Sequence, residues 1–325
     1  MNKINWGIIG CGDVTEIKSG PAFNKVPHSA LVAVMRRNAN KAADYAHRHN
    51  VSRWYADAQQ LIHDNEVNAI YIATPPSSHA EYALQAINAG KSVYVEKPMA
   101  LNYSAAKKMA QVAQEKNVKM VVAHYRREWP LFIKLKQLVN NKVIGNIHLA
   151  NLKFYKPAQN DIELLNKKNA WRLDPSISGG GLFHDLAPHQ LDIMYHLFGE
   201  AIDIKGIAYN QLKINTVDDI VAGNILFKNG IVFNGAWCFN TSTSSDYCEL
   251  IGSNGKISFS FFNENKIVLT LGTGITELNF EPLQHVQQPM IEKTVQYFLN
   301  KTTNPCTGEE GAEIMRWIDA FTTKQ

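Results

Sequence analysis

A chain of 325 residues is long enough for about two domains, each with its own core. With 45% apolar and 19% charged residues it has the balance of a globular protein, which excludes disorder, collagen and a coiled coil as the main architecture. No apolar run reaches the ~18 residues of a membrane helix, and no membrane partner is expected.

The opening residues, Met1-Asn2-Lys3-Ile4-Asn5-Trp6-Gly7, enter a strand-like pattern with no basic stretch and long apolar core before it, so the expected compartment is the cytoplasm. Four cysteines (Cys11, Cys238, Cys248, Cys306) without a C-x-x-C pair supply neither a disulfide scaffold nor a zinc ribbon. The net charge of +4 hides an asymmetry. Residues 1–150 carry 19 Lys and Arg against 10 Asp and Glu, leaving 14 against 19 for the remainder. Such a split fits two domains with different partners, the positive one suited to the phosphates of a cofactor. The basic residues are scattered rather than gathered in a stripe with aromatics, which argues against nucleic acid.

From the start to about residue 124, short apolar runs alternate with helical patterns. The strand candidates are Trp6–Gly10, Leu31–Met35, Ala69–Thr74, Ser92–Val95 and Lys119–Ala123. Each is apolar at successive positions, as expected of a strand covered on both faces of a parallel sheet. Helices are predicted over Asn40–His49, Ser77–Ala89 (with Gly90 as its C-cap) and Tyr103–Lys116. Strand–helix alternation implies a doubly wound α/β sheet, which binds ligands outside the carboxyl ends of its strands.

After Ala123 the rhythm changes. A helix over Trp129–Val139 leads to a strand at Ile147–Tyr155, and a second helix spans Gly181–Phe198. Strands follow at Ile204–Gln211, Ile220–Phe227, Ile231–Cys238, Tyr247–Ile251, Lys256–Phe261 and Ile267–Leu271, separated by turn signals such as Lys228-Asn229-Gly230. This predicts an α+β domain with a mostly antiparallel sheet, closed by helices at Pro289–Leu299 and Glu309–Phe321.

Gly10-Cys11-Gly12 follows the first strand, with a helix expected from Asp13 and Val14. The first glycine allows a sharp turn and the second lets backbone approach a pyrophosphate at the helix N-terminus. Thr15 stands where such loops usually carry a third glycine, and would hold the helix slightly off the strand. The second strand ends Val34-Met35-Arg36-Arg37-Asn38, without the carboxylate that usually meets the ribose 2′-hydroxyl of NAD. The guanidiniums of Arg36 and Arg37 suit a 2′-phosphate, so NADP(H) is the preferred cofactor, with NAD(H) the alternative.

Thr74-Pro75-Pro76-Ser77-Ser78-His79 places His79 at the carboxyl edge of the sheet, where it is either a histidine in the first turn of a helix, which Ser77 or Ser78 can cap, or a cofactor contact. Tyr94-Val95-Glu96-Lys97-Pro98 ends the next strand. An ammonium group there, directed by the proline that follows, can stabilise charge on a substrate oxygen. Ser178-Gly179-Gly180-Gly181 opens a helix carrying Asp185, His189 and Asp192 on one face. An imidazole side chain ordinarily titrates near neutrality, so His189 can exchange a proton with an alcohol or carbonyl, with Asp185 beside it. His184, His189, His196 and the nearby carboxylates lack a compelling ligand spacing, so no metal is expected.

Together these segments resemble the Gfo/Idh/MocA oxidoreductases, the family of glucose–fructose oxidoreductase and inositol dehydrogenase. Trp171-Arg172 and Thr307-Gly308-Glu309-Glu310-Gly311 add to the likeness, which runs over nearly the whole chain. The resemblance implies a Rossmann domain (1–124), a substrate-binding α+β domain (125–288) with an open sheet that forms homodimers or homotetramers, and last helices (289–325) that return to the first domain. It also implies substrate held between the domains.

By position, Lys97, Asp185 and His189 match the catalytic set. Gly10, Gly12, Thr74, Pro75, His79, Glu96 and Lys97 match cofactor contacts. Arg126, Trp171, Arg172, Asp185 and His189 match substrate positions. The activity implied is hydride transfer between nicotinamide and a carbinol or carbonyl carbon of a sugar, polyol or related small molecule. Rarer relatives imply two alternatives, an NAD-dependent glycosidase and a non-catalytic dinucleotide sensor.

Overall fold

Strands that are apolar on both faces can only be stable where both faces are covered, and the first part of the chain meets that condition. β1 (Ile4–Ile9), β2 (Ser29–Met35), β3 (Arg53–Tyr55), β4 (Ala69–Ile72), β5 (Ser92–Val95) and β6 (Met120–Val122) pair in parallel in the order β3-β2-β1-β4-β5-β6. All four residues of β4 are buried. The computed structural model describes residues 2–158 and 170–323. Connections run through α1 (Asp13–Ile17), α2 (Ala39–Arg48), α3 (Ala58–Ile62), α4 (His79–Asn88) and α5 (Tyr103–Glu115). Asn38 caps α2 by accepting from the Lys41 amide, and Asn102 caps α5 by accepting from the Ala105 amide. Trp6, Phe23, Tyr71 and Tyr94 fill the core beside the sheet, Tyr71 and Tyr94 stacking at 5.2 Å. The winding reverses at β1 and β4, so the carboxyl ends of β1, β2, β4 and β5 form the edge where such sheets bind ligands.

The second part builds one large sheet, β7 (Ile147–Pro157), β8 (Ala201–Tyr209), β9 (Ile220–Phe227), β10 (Val232–Thr241), β11 (Ser245–Gly252), β12 (Gly255–Phe259), β13 (Lys266–Leu271) and β14 (Gly274–Asn279). Its order is β14-β13-β12-β11-β7-β10-β9-β8, antiparallel except for β7 with β10. Residues alternate between faces as the pleat demands. The unit also holds α6 (Pro130–Asn140), α7 (Pro175–Ser178) and α8 (Leu182–Phe198); on β10, Phe233, Trp237 and Phe239 point to a buried face, where α8 packs. Trp237 meets Phe183 at 5.1 Å and donates its indole N–H to Gln190 Oε1 at 2.6 Å. Among the described residues no helix covers the opposite face. Along it, Asn224, Asn234, Asn151 and Glu249 join side chain to side chain across four strands.

By internal contacts the chain divides into Met1–Arg126 with Leu283–Met315, and Arg127–Pro282 with Arg316–Gln325. The expected single C-terminal block at 289–325 is therefore divided. α9 (Gln288–Phe298) belongs to the first unit, and α10 (Gly308–Thr322) changes unit along its length. The cause lies in its side chains. Gly311 sits so close to Val122 and Met99 that a Cβ there would come within 2.6 and 2.9 Å of them. One turn and more further on, Trp317 packs on Phe227, and the backbone of Phe321 lies against Gly206 of the large sheet. The first unit also reclaims 283–288, because His285 and Gln287 bond to the end of α1. β3, α3 and β14 have no counterpart among the sequence expectations. No helix among the described residues is long and apolar enough to cross a membrane.

Candidate active site

The glycine loop leaves β1 with Gly10 at φ +93°, held by hydrogen bonds that the Gly10 and Cys11 amides donate to the Met35 carbonyl. A side chain here would be strained and would also strike Thr74, whose Cγ2 and N would lie 2.7 and 2.8 Å from its Cβ. Gly12 differs, because a Cβ there would meet only the Gly10 carbonyl at 3.8 Å. That open space fits close approach of a pyrophosphate to the backbone, with Asp13 and Val14 in the first turn of α1 beyond it.

The departure at Thr15 is absorbed locally. Its hydroxyl accepts from the Gly12 amide at 3.0 Å and donates to the Gly12 carbonyl at 2.8 Å, while Tyr45 Oη holds the Thr15 carbonyl. Cys11 is enclosed, and burial pushes its thiol up to about 11, so it contributes backbone rather than a nucleophile.

At the end of β2 the Arg36 guanidinium donates through Nη1 to the Cys11 carbonyl at 3.2 Å. This fixes a half-buried cation over the glycine loop, and exposed Arg37 follows it. Thr74 receives the Ser78 hydroxyl at 2.8 Å. His79, for which a cofactor contact is expected, makes its hydrogen bonds within the protein. The ring is wholly buried between the Thr74 and Pro98 carbonyls, at 2.7 and 2.9 Å, and burial lowers its pKa. His79 ties the Thr74-Pro75 turn to the Lys97–Pro98 turn, whose peptide bond is cis.

Glu96, another expected cofactor contact, is likewise bonded within the protein. Its carboxylate is enclosed and accepts from Tyr71 Oη (2.5 Å), Gln287 Nε2 (2.5 Å) and the Lys97 amide (3.2 Å). Lys97 itself is half-buried at the carboxyl end of β5. Arg126, near the end of this unit, is buried with its guanidinium over the Tyr125 ring.

In the second unit, Gly179, Gly180 and Gly181 all have positive φ and deliver the chain into α8. At Gly180 a Cβ would fall 2.2 Å from the His184 ring. Leu182, Asp185 and His189 follow at i, i+3 and i+7, one face of the helix. Asp185 Oδ2 accepts from Arg172 Nε at 2.9 Å, and the Arg172 guanidinium stacks over Trp171 at 4.4 Å. The structure thus brings Trp171, Arg172 and Asp185 into one cluster.

His189 is 5% exposed and meets Phe262 edge-on at 5.7 Å. Asp192, one turn further along the helix, is fully buried. Arg127 clamps it, Nε to both carboxylate oxygens at 3.0 Å and Nη2 to Oδ1 at 2.6 Å. Burial lowers His184 to about 4, and burial with the Arg127 and Lys136 charges lowers His196 to about 3. Both rings are therefore neutral at physiological pH. Tyr71, Gln287 and Arg127 were not anticipated as parts of this machinery, and only Tyr71 carries a local signal, a hydroxyl inside an all-buried strand.

Residues 4–124 match the model of an oxidoreductase family with an NAD-binding Rossmann fold, GFO/IDH/MocA, and residues 132–258 match the GFO/IDH/MocA C-terminal domain. Oxidoreductase P35 of Formosa agariphila is 49% identical over 98% of both chains. Levoglucosan dehydrogenase of Pseudarthrobacter phenanthrenivorans is 26% identical, covering 82% of this chain and 76% of its own. Among solved structures, a levoglucosan dehydrogenase in complex with NADH and levoglucosan superposes with a TM-score of 0.89 at 22% identity, over 98% of this chain and 96% of the other. The chain belongs to the GFO/IDH/MocA family of oxidoreductases.

Proposed function

We propose that this oxidoreductase uses NADP(H) to interconvert a carbinol and a carbonyl on a sugar, polyol or related small molecule. The observation that carries the cofactor preference is the end of β2, where Arg36 is pinned on the Cys11 carbonyl and no carboxylate stands among residues 35–38. A guanidinium held there meets a 2′-phosphate with charge-assisted hydrogen bonds. Arg36→Ala should weaken NADPH by about 10- to 100-fold, the value of one or two such bonds, and leave NADH nearly unchanged. Competing titrations of the two dinucleotides measure this. Tighter binding of NADH by the unmodified protein would overturn the preference.

The sugar or polyol reading is supported by the cluster of Trp171, Arg172 and Asp185, an aromatic face beside a cation and a carboxylate, which is chemistry suited to hydroxyl-rich ligands. The names of relatives point the same way: levoglucosan dehydrogenase, 1,5-anhydro-D-fructose reductase and myo-inositol 2-dehydrogenase. When bound, the nicotinamide supplies or accepts the hydride. His189 takes the hydroxyl proton in oxidation and returns it in reduction. Lys97 donates a hydrogen bond to the reacting oxygen and stabilises the negative charge that develops there. Asp185, steadied by Arg172, orients the reacting group. An absorbance screen of NADPH and NADP⁺ against sugars, polyols and dicarbonyl compounds tests the reading, and no turnover across that panel would remove it.

A homodimer or homotetramer through the uncovered sheet face belongs to the same proposal. Ile207 (77% exposed) and Tyr209 (56%) stand on that face beside the asparagine row. Exposed apolar side chains grouped this way favour a partner surface. Ile207→Lys should shift the protein to a smaller species in sedimentation, and an unchanged monomer in both forms would refute the arrangement.

A further inference from the structure

Gln287 lies 191 residues from Glu96, yet its side chain closes the hydrogen bonds behind Lys97. Its Nε2 donates to Glu96 Oε1 at 2.5 Å and approaches Tyr71 Oη at 3.4 Å, while its Oε1 accepts from Tyr94 Oη at 3.1 Å. Gln287 is itself wholly buried. The other Glu96 oxygen accepts the amide of Lys97. Every polar atom in this chain of contacts has one orientation available, because an amide has distinct donor and acceptor ends.

The backbone around Gln287 is fixed as well. Its N–H donates to the Lys18 carbonyl at the end of α1, and His285 Nδ1 donates to the Ile17 carbonyl at 2.7 Å. Lys25 Nζ stands 2.7 Å from His285 Nε2 and has only protons to give, which makes Nε2 the acceptor and Nδ1 the donor. Residues 285–287 therefore link the helix after the glycine loop to the backbone of Lys97.

We infer that Gln287 is a positioning residue for Lys97, acting through Glu96 to set the direction in which the ammonium group leaves β5. This rests on the catalytic role proposed above for Lys97. The titratable groups facing Gln287 are Glu96, Tyr71 and Tyr94. Burial and the Glu96 charge raise both phenols well above the usual tyrosine range, so they remain donors at all working pH values.

The test compares Gln287→Leu, Gln287→Glu, Tyr94→Phe and Lys97→Ala with the unmodified enzyme, using NADPH and the best substrate from the screen. Gln287→Leu removes both ends of the amide at similar size. A misplacement of Lys97 by a fraction of an ångström should lower kcat by about 10- to 100-fold. The NADPH Kd should stay within about threefold, since the glycine loop and Arg36 are untouched.

Gln287→Glu sets two carboxylates where one proton must be shared. Its kcat relative to the unmodified enzyme should therefore climb as pH falls, a response that loss of packing alone does not give. Where Gln287→Leu does not fold, Tyr94→Phe loosens the amide with the ring retained, and a loss of about 3- to 10-fold in kcat is expected from one hydrogen bond. The inference is overturned by unchanged kcat in Gln287→Leu or in Tyr94→Phe, or by a pH-independent ratio in Gln287→Glu. Full activity in Lys97→Ala would instead remove the catalytic reading of Lys97, a separate failure.

Discussion

His189→Ala is expected to lower kcat by about 10²- to 10⁴-fold while the NADPH Kd stays unchanged. The glycine loop, Arg36 and Lys97 belong to the other unit and are unaltered by the change. The imidazole stands in a largely dry setting, 5% exposed with the Phe262 ring edge-on to it. Water is therefore a poor replacement for it as proton carrier. On the proposed mechanism, Lys97→Ala should cost a comparable factor through lost stabilisation of developing charge.

The decisive measurement is the double variant. Groups that act together on one reacting atom are strongly non-additive, so Lys97→Ala/His189→Ala should be little worse than the poorer single variant. Losses that multiply would mean that the two residues serve different steps. Retention of at least a third of the activity in His189→Ala would remove the histidine from the chemistry altogether.

The sheet of the first unit was legible because burial on both faces writes itself as unbroken apolar runs. β5 falls at Ser92–Val95 to the residue; in the second unit β9 falls at Ile220–Phe227, marked by the turn signal that follows it rather than by two-sided burial. β3 is three residues long and carries an exposed Trp54, so it has no run to read. β14 is largely exposed at an edge, which leaves no alternation.

Chemistry at the site was legible by residue type and by place along the chain, but not by the direction of each side chain. His79 and Glu96 stand where the sequence put them, yet both turn inward to other protein groups. What they hold, Thr74 and Lys97, is half-buried rather than enclosed. The remote partners were beyond reach for a simple reason. Arg127 is 65 positions from Asp192, and Gln287 is further still from Glu96, so no local pattern links them.

The Arg127–Asp192 clamp should dominate the stability of the second unit. Both side chains are nearly inaccessible, at 2% and 0% exposure, and share three close N–O contacts. Arg127→Met leaves a buried carboxylate without its cation, which typically costs about 3–5 kcal/mol. In a unit of this size that lowers Tm by roughly 10 °C. Adding Asp192→Leu removes the stranded charge, and most of the loss should return, because an apolar pair of similar volume is often as stable as a buried ion pair. A double variant as unstable as Arg127→Met would refute the charge argument and leave packing as the cause.

The pH dependence separates the two further. His196 is held near 3 by burial first, then by the Arg127 and Lys136 charges, and His184 near 4 by burial. Both folded values lie below the unfolded value of about 6.5, so the unfolded chain binds more protons in that window. Stability is full above about pH 6.5. It falls by about 1.4 kcal/mol per pH unit for each ring as pH drops toward the folded values. Without the Arg127 charge His196 protonates more readily in the folded state. Denaturant titrations of Arg127→Met should therefore give a shallower loss as pH nears the folded value of about 3 than those of the unmodified protein. Equal slopes would place His196 outside the field of Arg127.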